Sequence, residues 1–311
     1  MNTYIGYSTN IDTRYKATSG GVGSSIIKYL FNYGFIQTAI TFDYNSETLQ
    51  YIPKLIYRYE EYKITGSIYH EINLIKFIKE NIHQIKGGFA CFVLPCQARP
   101  IRSILTKLGI PCFLIGLTCS SQQSIDATFY LLKRLNINPK EVNNIQYRGN
   151  GWPSGVQIQK KDNTITSVPN NNSIWSQIFH SKLFILKRCF KCQNTLNTYS
   201  DIALADPWLK EYQEEKTGMS IICSNTPNGY EILQKIIAKG DIYVKEIDFN
   251  LFLKSQEITI KRKQSYIKHK HLISIYSKIL SSTQYRKLVL NNVHLFSLHN
   301  KIKNKIENLI Q

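Results

Sequence analysis

The chain has 311 residues, 43% hydrophobic and 19% charged, so it can bury a sizeable core and is not a disordered polymer. No apolar run approaches the roughly 20 residues that span a bilayer, and the polar start holds no signal-peptide stretch, so a cytoplasmic protein is expected. The seven cysteines are an odd number without the spacing of a secreted disulfide scaffold, which turns attention to metal ligation, catalysis or burial.

The first 140 residues alternate strand-like and helix-like segments. A short strand is expected over 3–7. Gly20-Gly21 then opens a helix over 22–33, ended by Gly34. Strands follow over 35–42 and 53–59, and a helix over 71–85. Residues 89–94 form a continuously apolar strand of the kind buried on both faces. A helix over 95–108, a buried strand over 111–117 and a helix over 124–135 complete this part. Such alternation with short connections implies βαβ units and a central, largely parallel or mixed sheet with flanking helices. Ligands gather beyond the carboxyl ends of strands in such sheets. Cys96 and Cys119 fall at two of those ends.

The pattern then changes. Residues 142–148, 156–160 and 165–168 read as short antiparallel strands joined by turns at Gly149-Asn150-Gly151 and Lys161-Asp162-Asn163. A helix lies within 170–182. A loop follows, carrying Cys189-Phe190-Lys191-Cys192, and then strands over 201–204, 220–224 and 241–246 with a helix over 229–238. The rest is helical and basic. From residue 261 onward, eleven Lys or Arg face one acidic residue, Glu307, and carry much of the +18 net charge. The whole reads as an α/β (α+β mixed) fold. Its expected parts are an α/β part over 1–140, an antiparallel and cysteine-bearing part over 141–255 sharing an interface with it, and a basic helical extension over 256–311. The basic end suits an anionic partner or is a plain solvated face.

Four motifs carry chemistry. Cys96, Cys119, Cys189 and Cys192 make a candidate four-thiolate site, suited to zinc or an iron–sulfur cluster; a single C-x-x-C pair alone also fits a redox pair. Lys187, Arg188 and Lys191 flank that pair and would offset negative charge. Cys91, Cys112 and Cys223 lie in apolar runs and read as core. Thr18-Ser19-Gly20-Gly21-Val22 leads small residues into a helix N-terminus, a place for an anion or an ordinary cap. Tyr147-Arg148-Gly149 with Trp152 suits a stacked, charged ligand or a structural turn. Asp206-Pro207-Trp208 aims a carboxylate from a strand end or caps.

These motifs, in this order, resemble the beta subunit of the deazaflavin-coenzyme-reducing hydrogenases and its relatives. The matching segments are Ser19-Gly20-Gly21-Val22, Leu94-Pro95-Cys96-Gln97, Gly116-Leu117-Thr118-Cys119, Tyr147-Arg148-Gly149 with Trp152, Cys189-x-x-Cys192, and Asp201-Ile202 with Asp206-Pro207-Trp208. The resemblance implies a flavoprotein binding FAD (or FMN) beside a 4Fe–4S cluster. It implies Cys96, Cys119, Cys189 and Cys192 as cluster ligands, and Thr18, Ser19, Gly20, Gly21, Val22, Gln97, Arg148 and Asp206 around the flavin or substrate. It implies an oxidoreductase fed by a ferredoxin-like or other redox protein and reducing a small, anionic organic molecule, with a sugar or cell-envelope precursor as a plausible substrate. Nucleic acid is not an expected partner. Two departures stand out: the chain starts directly at the flavin part, and Cys119-Ser120-Ser121 replaces the usual Cys-His-Gly. The alternatives are a zinc-stabilised, non-catalytic nucleic-acid-binding protein and a degenerate relative with an electron-transfer role only.

Overall fold

The structure is a computed structural model that describes residues 2–310. In chain order it runs β1 (Asn2–Ser8), α1 (Ile11–Lys16), α2 (Val22–Asn32), β2 (Thr38–Asn45), β3 (Gln50–Ile56), α3 (Leu74–Glu80), β4 (Phe89–Val93), α4 (Pro95–Lys107), β5 (Cys112–Leu117) and α5 (Asp126–Arg134). Next come β6 (Val142–Gln146), β7 (Gly155–Lys160), β8 (Ile165–Pro169), α6 (Ile174–His180), β9 (Ile202–Ala205), β10 (Ser220–Ser224), α7 (Pro227–Ala238) and β11 (Ile242–Glu246). Five helices close the chain: α8 (Phe249–Ser255), α9 (Glu257–Lys268), α10 (Lys270–Ser281), α11 (Thr283–Asn291) and α12 (Val293–Ile310).

One mixed sheet of eight strands organises the molecule, in the order β11-β1-β10-β9-β5-β4-β2-β3. The pairs β9–β5, β5–β4 and β4–β2 are parallel, and the remaining neighbours are antiparallel. β1 therefore points the same way as β2, β4, β5 and β9, while β3, β10 and β11 oppose them. The parallel direction expected for the first unit holds, but its strands are not neighbours. Four strands separate β1 from β2, because α2 lies across the middle of the sheet instead of over one pair. Its Val22, Ile26 and Ile27 pack on Ala90, Ile115, Ile202 and Ile222 from four different strands, together with Ile232 and Ile236 of α7. The expected strand over 53–59 is instead β3, which pairs in full with β2, and the helix over 71–85 is shortened to α3.

The opposite face is covered by α4, whose Ala98, Ile101 and Leu105 meet Phe89, Cys91, Val93 and Leu114, and by Phe252 of α8 against Ile5, Ile221 and Cys223. Helices on both faces explain why β4 and β9 read as continuous apolar runs. Cys91 and Cys223 are fully buried in these layers, as expected of core cysteines, and Cys112 packs partly buried against the first. Between β5 and β9 the chain leaves to build a second body. There β6, β7 and β8 form a three-stranded antiparallel sheet. Its core takes in α5 and α6 together with Tyr266, Ile273, Leu280, Val289 and Phe296 of the last helices. The basic end is thus amphipathic and packed. Among the described residues, no helix is long and apolar enough to cross a membrane.

Candidate functional site

Because β4, β5 and β9 run parallel, their carboxyl ends share one edge. β4 delivers Cys96 into the first turn of α4, β5 runs out to Cys119, and β9 runs out to Asp206. Cys189 and Cys192 reach the same place on a 3-10 turn spanning Lys187–Lys191. Phe190, buried between the two cysteines, anchors that turn by stacking on Tyr266 of α9, ring centroids 5.9 Å apart. Asn197 ties the segment to the sheet. Its side-chain amide donates to the Val93 carbonyl at 2.7 Å and the Leu117 carbonyl at 3.2 Å, the last residues of β4 and β5. Gly116 permits this approach, since a Cβ there would lie 2.2 Å from Ser200 Oγ and 2.6 Å from Asn197 Cγ.

The thiols of these three segments sense one another. Cys119 is pushed up to about 12, first by burial, with Lys263 opposing and Cys189, Cys96 and Cys192 adding to the rise. Cys96 is raised by burial and then by Cys192, and Cys189 by burial with smaller pushes from Cys192 and Cys96. Burial, with smaller mutual repulsion, holds Cys96, Cys119 and Cys189 toward the neutral thiol, and a bound cation would favour their thiolates. The Gln122 N–H already points at Cys189 Sγ, 3.4 Å away. Among the described residues, no three His, Cys, Asp or Glu side chains are grouped as a single metal ion requires.

Beside the thiols lies a cavity of about 560 Å³, within the range of ligand and cofactor sites. Thr18, Ser19, Gly21, Val22, Gln97, Arg148 and Asp206 all line it, and so does Cys119. Gly20 does not; it packs behind the wall, where a Cβ would lie 2.6 Å from the Gly6 carbonyl and 2.8 Å from Ser220 N. Gly21 holds φ +74° and has no capping side chain, which leaves the first-turn N–H groups of α2 at the cavity. A phosphate is the natural partner for such donors.

Two of the sequence-selected residues turn out to be spent on structure. Gln97 Oε1 accepts from the Leu94 N–H at 2.9 Å, closing the entry to α4. Arg148, 3% exposed, donates to Asp206 Oδ2 at 2.5 Å, to the Thr18 carbonyl at 3.1 Å and to the Pro153 carbonyl at 3.3 Å. Burial opposes its charge, but Asp206 more than restores it and holds the guanidinium above its ordinary pKa. Arg148 therefore locks the glycine turn to the Asp206 strand end, its charge balanced by the Asp206 carboxylate. Sequence reading missed three contributors. Lys263 and Arg262 of α9 and Ser121 after Cys119 stand at the thiols or the cavity, and the first two carried only the signal of a basic run.

This arrangement defines a class: a mixed α/β protein whose cysteine-bearing segments come to the carboxyl edge of its main sheet, beside a cavity of the size of ligand sites. The chain belongs to the coenzyme F420 hydrogenase/dehydrogenase beta-subunit family, an oxidoreductase type. Residues 3–79 match that family's N-terminal region and residues 87–249 its C-terminal region. The fold also resembles a chain in the structure of the F420-reducing NiFe hydrogenase complex from Methanosarcina barkeri, with a TM-score of 0.66 and 18% identity over 86% of this chain and 91% of that one. No curated protein sequence matches the chain significantly.

Proposed function

We propose that the protein is a flavin- and iron–sulfur-dependent oxidoreductase that takes electrons from a ferredoxin-like protein and reduces a small anionic organic substrate. The observation that carries this reading is Cys119. Its thiol feels the charges of Cys96, Cys189 and Cys192, and it also lines the cavity bounded by the glycine turn. In this reading Cys96, Cys119, Cys189 and Cys192 hold a 4Fe–4S cluster, and the cavity holds FAD with its phosphates at the start of α2. When bound, such groups supply single-electron transfer and paired delivery to an organic acceptor.

The chain's own residues supply binding, orientation and charge. The first-turn N–H groups of α2 meet phosphate, and the Arg148–Asp206 pair holds the glycine turn in place at the cavity wall. Arg262 also lines the cavity, donating to Ser120 Oγ at 2.9 Å, and Ser121 Oγ beside it is buried without a partner among the described residues. That pair favours a substrate bearing a carboxylate or phosphate; a sugar-based cell-envelope precursor meets this description. Membership in an oxidoreductase family favours this reading over a zinc-stabilised nucleic-acid-binding protein.

Anaerobic purification or reconstitution tests it. Flavin absorbance, broad sulfur-to-iron absorbance and roughly four irons per chain are expected. A colourless protein containing one zinc would sink the reading.

A further inference from the structure

Lys263 sits on α9 in the run Lys261-Arg262-Lys263, where sequence suggests a solvated face. Lys261 obeys that suggestion and pairs with Glu257 in solvent, with 67% and 49% of their side chains exposed. Lys263 does the opposite. It is 3% exposed, and its ammonium donates to the Cys119 carbonyl at 2.8 Å and to the Asn194 carbonyl, with Cys192 Sγ 3.7 Å away. No carboxylate pairs with it among the described residues. Carbonyl oxygens solvate an ammonium but do not neutralise it, and a buried charge without a counter-charge is costly. Lys263 also lies beyond residues 87–249, where the family match ends.

The missing negative charge is the one the thiols would bring. Four thiolates outweigh the positive charge of an iron–sulfur core, so the ligated cluster is anionic and becomes more so on reduction. We infer that Lys263 is a positioning residue for that cluster: its buried charge joins the Cys119 strand end to the Cys189–Cys192 segment, offsets the thiolates, and raises the cluster's reduction potential. The inference rests on the cluster reading proposed above. Two properties follow. The ammonium bridges two of the segments that must stay in register for the cradle to form. It also stabilises the reduced, more negative cluster more than the oxidised one, because hydrogen bonds and charge near the sulfurs set such potentials.

The test compares wild type, Lys263→Arg, Lys263→Gln and Lys263→Met, each reconstituted anaerobically with iron and sulfide. Bound iron, melting temperature before reconstitution, and cluster potential by EPR-monitored reductive titration are the readouts. Lys263→Arg keeps the charge and is expected to stay near the wild-type potential. Lys263→Gln keeps a donor without the charge and is expected to bind iron at a clearly lower potential. Lys263→Met is expected to lie lower still, or to lose part of its iron. If Gln and Met both fail to hold iron while Arg holds it, the charge is needed for assembly and the inference stands. Full iron with unchanged potential in Gln and Met overturns it. So does loss of iron in Arg as well, with apo melting unchanged, because the requirement would then be one of shape. Iron-free wild type is a different failure, that of the cluster reading itself.

Discussion

Replacing Arg148 by Met tests whether the buried Arg148–Asp206 pair is what joins the glycine turn to the rest of the cavity wall. The guanidinium makes three bonds, two to distant segments at Asp206 and Thr18 and one within its own loop at Pro153. Removing one member of a buried pair costs about 3–5 kcal/mol, mostly by stranding the other. Asp206 keeps 16% side-chain exposure toward the cavity, which favours the lower half of that range; the two lost carbonyl bonds, at about 1 kcal/mol each, restore the upper half. At roughly 2 °C per kcal/mol for a chain of this length, the melting temperature should fall by about 6–10 °C. Denaturant unfolding of cofactor-free protein measures this directly. The double variant Arg148→Met/Asp206→Asn should recover about 1–3 kcal/mol relative to the sum of the singles, since the residues touch. Flavin affinity should drop in Arg148→Met because the Thr18 carbonyl loses its tether. A single variant within about 1 kcal/mol of wild type, or strict additivity in the double, would refute the reasoning.

Three further outcomes are expected. Changing Cys96, Cys119, Cys189 or Cys192 to Ser should each cut reconstituted iron well below the wild-type level, whereas Cys223→Ser, in the core beneath α8 with 1% exposure, should leave iron unchanged; equal iron in all five variants would remove the thiols from the ligand set. Gly66→Ala should destabilise by about 3 kcal/mol or more, because φ is +69° and a Cβ would lie 1.8 Å from the Arg148 carbonyl oxygen; near-normal stability would mean that this segment gives way freely. Lys182, 2% exposed, has its pKa lowered to about 7, first by burial and then by Arg262. The unfolded chain keeps the ordinary 10.5, so above about pH 7 the unfolded state holds more protons and Lys182 makes stability rise with pH until that value. Lys182→Met should therefore raise stability near neutral pH by on the order of a few kcal/mol and flatten the rise, and an unchanged pH profile in urea titrations would contradict this.

Much of the site could be read along the chain because its pieces carry local signatures. Cys96 and Cys119 each follow an apolar strand, and parallel strands put such ends on one edge. The Cys189–Cys192 pair needs only three intervening bonds of chain order to be recognised. The Gly20-Gly21 turn announces a helix start that a side chain does not cap. What stayed hidden was every decision made between segments. Arg148 reads as a ligand group or as part of a structural turn, and only the fold shows its guanidinium committed to Asp206 and Thr18. Lys261 and Lys263 are indistinguishable in sequence, yet one is solvated and the other buried against the thiols.

The sequence by itself therefore determined most element types, the mixed α/β class and the family to which the chain belongs. These rest on periodicity, turn chemistry and short motifs, which are local. The tertiary structure alone decided that β10 intervenes between β1 and β9, that α2 spans four strands, and that α9 turns Lys263 inward. Those outcomes depend on which apolar faces meet and on charges brought together from opposite ends of the chain, and no window of sequence contains both partners.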